Sequence, residues 1–139
     1  MTRVVIDANV LASAAAGHPH SPSRRLLNAL AAGRIEAVLC DRILQEVDRA
    51  LERPYFAARV TLTERRLLDA VVRAVVEMLP DPVAPPATVR DPRDDFLVAL
   101  ALEAQAEAIV TGDRDLLDHD GLEPPAITPR TACERFGLA

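Results

Sequence analysis

Two short runs of apolar residues, each followed closely by an aspartate, constrain the fold of this chain most strongly. Val4–Ile6 leads directly to Asp7, and Ala108–Val110 precedes Asp113 by two residues. Strands without polar–apolar alternation are typical of a parallel sheet that is covered on both faces. Segments with helical periodicity separate these runs, so the sequence predicts an α/β fold, a three-layer α/β/α sandwich with a central parallel sheet.

The helical segments carry start signals that can be placed on the sequence. Asp41 is expected to cap a helix that continues to about Glu52, and Thr63 to cap a longer helix over residues 64–78. In a sheet of this kind, ligands bind beyond the carboxyl ends of the strands. The ends of the two apolar runs are therefore the first places to look for a site.

Length and composition limit the classes of protein to consider. A chain of 139 residues that is 50% hydrophobic fits one globular domain over residues 1–139. No apolar run reaches the roughly 18–20 residues of a membrane span, and Val4–Ile6 is too short for a signal peptide, so we expect a cytoplasmic protein without membrane contact. Cys40 and Cys133 lack zinc-site spacing; reduced thiols are favoured, and a disulfide stays open.

The charged residues exclude several kinds of chemistry. All 16 basic residues are arginines, so mechanisms that need a lysine, such as the P-loop or a Schiff base, are excluded. The net charge of −5 argues against general nucleic-acid coating. It is compatible with a nucleic-acid enzyme whose acidic centre is neutralised by cations. The three histidines fall in loops or polar turns, so no Ser-His-Asp arrangement competes.

Four acids stand near strand ends or helix starts in four separate segments. They are Asp7 in I-D-A-N, Glu46 in L-Q-E-V, Asp95 in D-D-F-L-V-A and Asp113 in V-T-G-D-R-D. Clustered carboxylates repel one another unless cations bind them, and oxygen ligands suit Mg²⁺ or Mn²⁺. Such a site can activate water for phosphodiester hydrolysis.

Each acid also has a simpler structural interpretation. Asp7 and Asp113 could cap the helices that follow them, and Glu46 could lie on a solvated helix face. Asp94 and Asp95 are two candidate caps for one helix. The four segments must therefore be weighed together.

Together they resemble the PIN-domain family of metal-dependent ribonucleases, particularly the VapC-type toxins and related toxin–antitoxin PIN proteins. The resemblance runs from about Val4 to Phe136. The segments that carry it, in order, are I-D-A-N-V-L, C-D-R-I-L-Q-E-V, D-P-R-D-D-F-L-V-A-L-A-L and A-I-V-T-G-D-R-D-L-L.

The resemblance implies a Mg²⁺- or Mn²⁺-dependent endoribonuclease, the toxin of a toxin–antitoxin system. Asp7, Glu46, Asp95 and Asp113 would be both its metal-binding and its catalytic acids. Asp95 is preferred to Asp94 because the family's acid stands three residues before an apolar pair that matches Val98-Ala99.

Three further residues match supporting positions of the family. Asn9 would support the first aspartate, and Thr111 would supply a hydroxyl just before the last one. Asp115 would substitute for Asp113 or assist it, or else it is a solvated acid.

Substrate contacts are less constrained than the acids. Arg24, Arg25, Arg93 and Arg114 are candidates for phosphate binding, because a guanidinium fork matches phosphate oxygens. An exposed or ion-paired role is equally open for each. Aromatic residues make up only 3% of the chain, so base stacking is poorly supplied.

The resemblance also implies partners, and two rival functions remain to be weighed against it. The resemblance implies an RNA substrate, a cognate antitoxin protein and a homodimer, and it leaves the RNA sequence that is cleaved open. The first rival is a non-catalytic PIN-like protein/RNA interaction module. The second is a phosphatase or receiver-like domain with Asp7 as nucleophile, but its D-x-D pattern fails at Asn9 and its usual lysine is absent.

Overall fold

A computed structural model describes residues 1–83, 91 and 94–138. In these residues five strands and eight helices follow one another along the chain. In order they are β1 (Arg3–Ile6), α1 (Ala8–Ala16), α2 (Pro22–Ala31), β2 (Glu36–Leu39), α3 (Asp41–Glu52), α4 (Pro54–Ala57), α5 (Leu62–Val75), β3 (Val76–Met78), α6 (Asp95–Glu103), β4 (Ala108–Val110), α7 (Arg114–Leu117), β5 (Ala126–Ile127) and α8 (Pro129–Phe136).

The strands form one parallel sheet in the order β3-β2-β1-β4-β5. At its centre Val5 pairs with Val38 of β2 on one side and with Ile109 of β4 on the other. The predicted α/β fold with a central parallel sheet is confirmed.

Helices cover both faces of this sheet. Val4, Val5 and Ile6 are each at most 1% exposed, and successive side chains of a strand point to opposite faces. Helix α6 contacts β1 and β4, while α1 packs against α2, α3 and α5. Burial of successive strand residues is the reason that Val4–Ile6 of β1 and all of β4 are apolar.

The strand order reverses at β1. The chain moves outward from β1 to β2 and β3, and then returns to place β4 on the opposite side of β1. In an open parallel sheet this reversal leaves a crevice at the carboxyl ends of the two central strands. Asp7 and Thr111 are the residues that directly follow these two strand ends.

The region around α5 differs from the sequence-based expectation. The cap is Thr61 and not Thr63: Thr61 Oγ1 accepts a hydrogen bond from the Glu64 amide, and Glu64 Oε1 accepts one from the Thr61 amide. The predicted helix over 64–78 is too long, because its last three residues form the edge strand β3. A three-residue strand that directly continues a helical apolar pattern gives no separate signal.

The start of α3 also differs by one residue. Cys40 occupies the N-cap position, and Asp41 is the first residue of the helix and makes no capping bond. The negative charge of Asp41 still lies in the first turn, where it interacts favourably with the helix dipole.

Two expectations about the environment can be compared with the described residues. Cys40 and Cys133 are both buried and free, so they form no disulfide with each other. None of the helices in the described part of the chain has the length and apolar character to cross a bilayer.

The capping box gives the first testable prediction. Thr61→Ala removes the side chain that accepts the Glu64 amide, and we expect it to lower the free energy of unfolding by about 1 kcal/mol. Urea denaturation measures the change. The matched control is Thr63→Ala, which should cost less than about 0.5 kcal/mol as an exposed helical substitution. An equal loss in both variants would contradict the assignment of the cap.

Candidate active site

The candidate site begins where β1 and β4 end side by side. Ile6 pairs with Val110, and the amide of the next residue, Asp7, donates a hydrogen bond of 2.9 Å to the Val110 carbonyl. The pairing thus continues one residue beyond β1 and brings Asp7 next to Thr111. Asp7 is 7% exposed and Thr111 is fully buried.

The Thr111 hydroxyl links two of the predicted acids. Its Oγ1 donates a 2.8 Å hydrogen bond to Asp7 Oδ2 and accepts a 3.0 Å hydrogen bond from the backbone amide of Asp113. A hydroxyl has one hydrogen to donate and two lone pairs to accept with, so both bonds are compatible. Thr111 therefore holds the segments that follow β1 and β4 in a fixed relation.

Helix capping explains one of these two aspartates and not the other. Asp113 Oδ1 accepts a 2.9 Å hydrogen bond from the Asp115 amide and caps α7. Asp7 occupies the N-cap position of α1, but its carboxylate makes no capping bond. Asp115 contributes its main chain to the cap, and its half-buried side chain does not line the cleft described below.

Glu46 approaches the same region from α3. Its Oε1 lies 3.6 Å from Nε of Arg42, one helical turn earlier. Burial and the nearby Asp7 carboxylate raise the pKa of Glu46, while the guanidinium groups of Arg42 and Arg49 oppose the rise. The influence of Asp7 means that these two carboxylates are close enough to repel each other.

In the segment before α6, Asp94 lines the cleft and Asp95 does not. Asp94 stands at the N-cap of α6, whereas Asp95 is the first helical residue and is 5% exposed. Consecutive helical side chains differ in direction by about 100°, so two adjacent acids do not face the same way. The D-D pair in the sequence offers two candidate acids. The spacing to Val98-Ala99 favours Asp95, which is buried and does not line the cleft. Asp95 as a metal ligand stays a prediction.

Asp94 is the most electrostatically perturbed of these acids. Burial, followed by the neighbouring carboxylate of Asp113, raises the pKa of Asp94 to about 8. Its Oδ2 atom is buried and has no hydrogen-bond partner among the described residues. The pKa of Asp7 is raised too, mainly by burial and further by Asp113, against the lowering effect of the Thr111 hydroxyl. Burial and neighbouring carboxylates thus raise the pKa of three acids of this site, and a bound cation would oppose that rise.

These groups line a cleft of about 680 Å³ at the carboxyl edge of the sheet. We refer to it as the acidic cleft. Its lining residues are Asp7, Ala8, Asn9, Arg42, Glu46, Arg49, Ala50, Arg53, Asp94 and Asp113.

Three of the four arginines proposed from the sequence lie outside the acidic cleft. Arg24 donates hydrogen bonds to the carbonyls at the end of α1, and Arg25 lines a separate pocket that also includes residues of α8. The side chain of Arg114 is 83% exposed and outside the lining of the acidic cleft. Arg93 lies outside the described residues.

Sequence reasoning missed the arginines that do line the acidic cleft. Arg42, Arg49 and Arg53 are on α3 together with Glu46; Arg53 is the residue that ends this helix. Positions 42, 46, 49 and 53 are separated by four, three and four residues, so they share one helix face. This polar periodicity was available in the sequence, next to the apolar stripe that indicated the helix.

Asn9 has a different partner from the one expected. Its amide oxygen accepts a 2.7 Å hydrogen bond from Arg53. Among the described residues it makes no hydrogen bond with Asp7, whose carboxylate is held by Thr111 instead. Asn9 therefore connects the start of α1 to the end of α3.

The donor set of the acidic cleft is compatible with a hard divalent cation, although it is not a closed cage. Carboxylate oxygens are the preferred protein ligands of Mg²⁺ and Mn²⁺. Asp94 Oδ2, which is buried without a hydrogen-bond partner among the described residues, could serve as such a ligand. Within residues 1–83, 91 and 94–138, no three His, Cys, Asp or Glu side chains are grouped so that they could hold one ion together. Mg²⁺ commonly binds through one or two carboxylates and retains several waters, which reconciles the two observations.

Comparison with known proteins agrees with the fold. A family model described as a PIN domain matches residues 3–115. The crystal structure of PAE2754 from Pyrobaculum aerophilum is similar with a TM-score of 0.60 and 20% sequence identity, over 98% of this chain and 90% of that one. At this identity the likeness shows a shared fold. No curated protein has significant sequence similarity to the chain.

The raised pKa of Asp94 predicts an unusual pH dependence of stability. In buffer without divalent cations, the folded protein keeps a proton on Asp94 up to about pH 8, whereas the unfolded chain releases it near its ordinary value of about 4. The contribution of this proton to stability is complete below about pH 4 and is lost as the pH rises through about 8. Asp94→Asn should therefore gain stability relative to wild type between pH 5 and pH 9, measured by urea denaturation with EDTA.

Asp120→Asn is the matched control, because Asp120 is exposed and outside the acidic cleft. Its stability should follow the wild-type pH profile. If Asp94→Asn and wild type kept a constant difference across this range, Asp94 would titrate normally and the electrostatic interpretation would be wrong.

Proposed function

This chain belongs to the PIN-domain family, whose members are generally nucleases, and we propose that it is a Mg²⁺- or Mn²⁺-dependent endoribonuclease. The observation that carries the proposal is the convergence of four carboxylates from four chain segments on one cleft, with a buried oxygen of Asp94 that has no hydrogen-bond partner in the part of the chain that the structure describes. Capping alone does not account for this arrangement, because Asp7 makes no capping bond.

The candidates for holding the cation are Asp7, Glu46, Asp94 and Asp113, of which one or two carboxylates would suffice, with Asp95 as the alternative in the third segment. When bound, the cation would lower the pKa of a water molecule and stabilise the charge on the leaving oxygen of a phosphodiester. Loss of protons from the acids with raised pKa values would accompany binding, because ligand carboxylates must be ionised.

The chain's own side chains keep the acids in place for this task. Thr111 orients Asp7, the α7 cap orients Asp113, and Arg42 lies against Glu46. Each of these acids is on or next to a regular element that packs on the buried sheet. Charged groups fixed in this way need little reorganisation during the reaction, which is the basis of electrostatic catalysis.

The central prediction is that Asp7→Asn abolishes cleavage of RNA in the presence of Mg²⁺ or Mn²⁺. The amide keeps the size of the side chain and removes its negative charge, and loss of such a group lowers the rate by about 10²-fold or more. Cleavage of a labelled oligoribonucleotide is followed by gel electrophoresis, with EDTA as the cation-free reference.

Asp120→Asn serves again as the matched substitution, and it should cleave at the wild-type rate. Circular dichroism of Asp7→Asn checks that the fold is intact. Unchanged cleavage by a folded Asp7→Asn protein would contradict the proposal. Calorimetric titration of wild type with Mn²⁺ addresses the non-catalytic interaction module, since an absence of both heat and cleavage would favour that alternative.

We also propose a cellular role, a cytoplasmic toxin that acts as a homodimer and is neutralised by an antitoxin protein. This proposal rests on the resemblance of the four acidic segments to VapC-type toxins. Induced expression in a bacterial host should arrest growth for wild type and not for Asp7→Asn at equal protein levels, because the arrest requires RNA cleavage. Equal growth of both strains would contradict the toxin role without affecting the nuclease assignment.

A further inference from the structure

The wall of the acidic cleft formed by α3 carries two exposed arginines, one helical turn apart. Arg49 and Arg53 both line the cleft and are exposed to solvent. Arg49 makes no hydrogen bond or ion pair with any described residue. The positive charge of its guanidinium group lowers the pKa of Glu46. Its guanidinium group therefore lies near the acids while its donors remain available.

Arg53 is held at the far end of the same wall. One guanidinium nitrogen donates to Asn9 Oδ1 at 2.7 Å, and the group lies 5.6 Å from the centre of the Phe56 ring. A guanidinium has five N–H donors, so the bond to Asn9 fixes its direction and leaves other donors for a ligand.

Arg42, the third arginine of this face, is already engaged. Its guanidinium carbon lies 4.0 Å above the centre of the Phe96 ring, and its Nε is 3.6 Å from Glu46 Oε1. The planar face of its guanidinium group is thus engaged by the Phe96 ring, and its charge by the Glu46 carboxylate. Both would otherwise be available to a phosphate. We therefore separate Arg42, which positions Glu46, from Arg49 and Arg53.

Helix α3 runs along the wall of the acidic cleft, from the segment of Asp94 and Asp95 to the segment of Asp7. Its first turn contacts Phe96 of α6, directly after Asp94 and Asp95, and its end contacts Asn9, two residues after Asp7. A ligand that lies along the exposed side of α3 therefore passes over the acids. Four residues of helix advance about 6 Å, so Arg49 and Arg53 are spaced to contact different phosphates of one strand.

We propose that Arg49 and Arg53 form a phosphate-binding track that holds the backbone of single-stranded RNA across the acids. The inference rests on the proposed nuclease function. It adds how the substrate is held and along which helix it lies. No aromatic side chain lines the described cleft, so the strand is held by its phosphates and not by stacked bases. Recognition by this track is therefore independent of base sequence.

Salt-dependent binding tests the track separately from cleavage. The affinity of an Asp7→Asn protein for a fluorescent single-stranded oligoribonucleotide is measured by anisotropy at several salt concentrations and a fixed Mg²⁺ concentration. Each phosphate contact contributes about 0.7 to the slope of log affinity against log salt for a single strand. Arg49→Ala and Arg53→Ala should each lower the slope by about 0.7, and the double variant by about 1.4.

The matched control is Arg66→Ala, since Arg66 is an exposed arginine of α5 that does not line the cleft. It removes the same charge and should leave the slope unchanged. Equal slopes for the Asp7→Asn parent and its Arg49→Ala and Arg53→Ala derivatives would overturn the proposal, as would an equal loss in the Arg66→Ala variant. Arg49→Lys should restore most of the slope, because the ammonium retains the charge.

The outcome is independent of whether the protein cleaves RNA. If wild type failed to cleave and the arginine variants lost their slope, the nuclease proposal would fail and the track would stand. If wild type cleaved and the slopes were equal, the reverse would hold. A single-stranded DNA of the same length should lose the same slope; a loss confined to RNA would overturn the assignment to phosphates.

Discussion

The burial of mutually repelling carboxylates at one edge of the sheet is the constraint on which the rest of the site depends. The pKa values of Asp7, Glu46 and Asp94 are all raised, in each case first by burial and further by a neighbouring acid. Folding must hold these groups together against that repulsion and the loss of their hydration. The buried strands β1 and β4 restrain Asp7 and Asp113, which follow their ends closely, while α3 and the start of α6 hold Glu46 and Asp94.

The arrangement of charge in the acidic cleft follows from this constraint. Asp7, Asp94 and Asp113 are contributed by strand ends and helix starts, whereas Glu46 and the arginines come from one face of α3 and its C-cap. A cleft with negative charge on its floor and positive charge on one wall suits a cation and a phosphate bound side by side. The acids would contact the cation, and the arginines would contact the phosphate. Neither a purely acidic nor a purely basic surface would have this property.

The sequence predicted those parts of the molecule that depend on neighbouring residues. Asp7 and Asp113 could be placed at one edge because each follows an apolar strand closely, and parallel strands align their carboxyl ends. The sequence could not show which acid of the third segment lines the cleft. Asp94 and Asp95 are adjacent, and the packing of α6 decides which of the two side chains faces the cleft. Strand β3 was missed for a related reason: Val76–Met78 continues the composition of α5 and is defined by its pairing with β2.

The Thr111 hydroxyl has a consequence for the two oxygens of Asp7. The Asp113 amide donates to the hydroxyl and the hydroxyl donates to Asp7 Oδ2, so the two hydrogen bonds form one chain that runs in a single direction. Each bond in such a chain polarises the next. The two oxygens of Asp7 are therefore chemically unequal, because Oδ2 is the one that joins the strand ends. A change of charge at Asp7 is thereby transmitted to the main chain that follows β4.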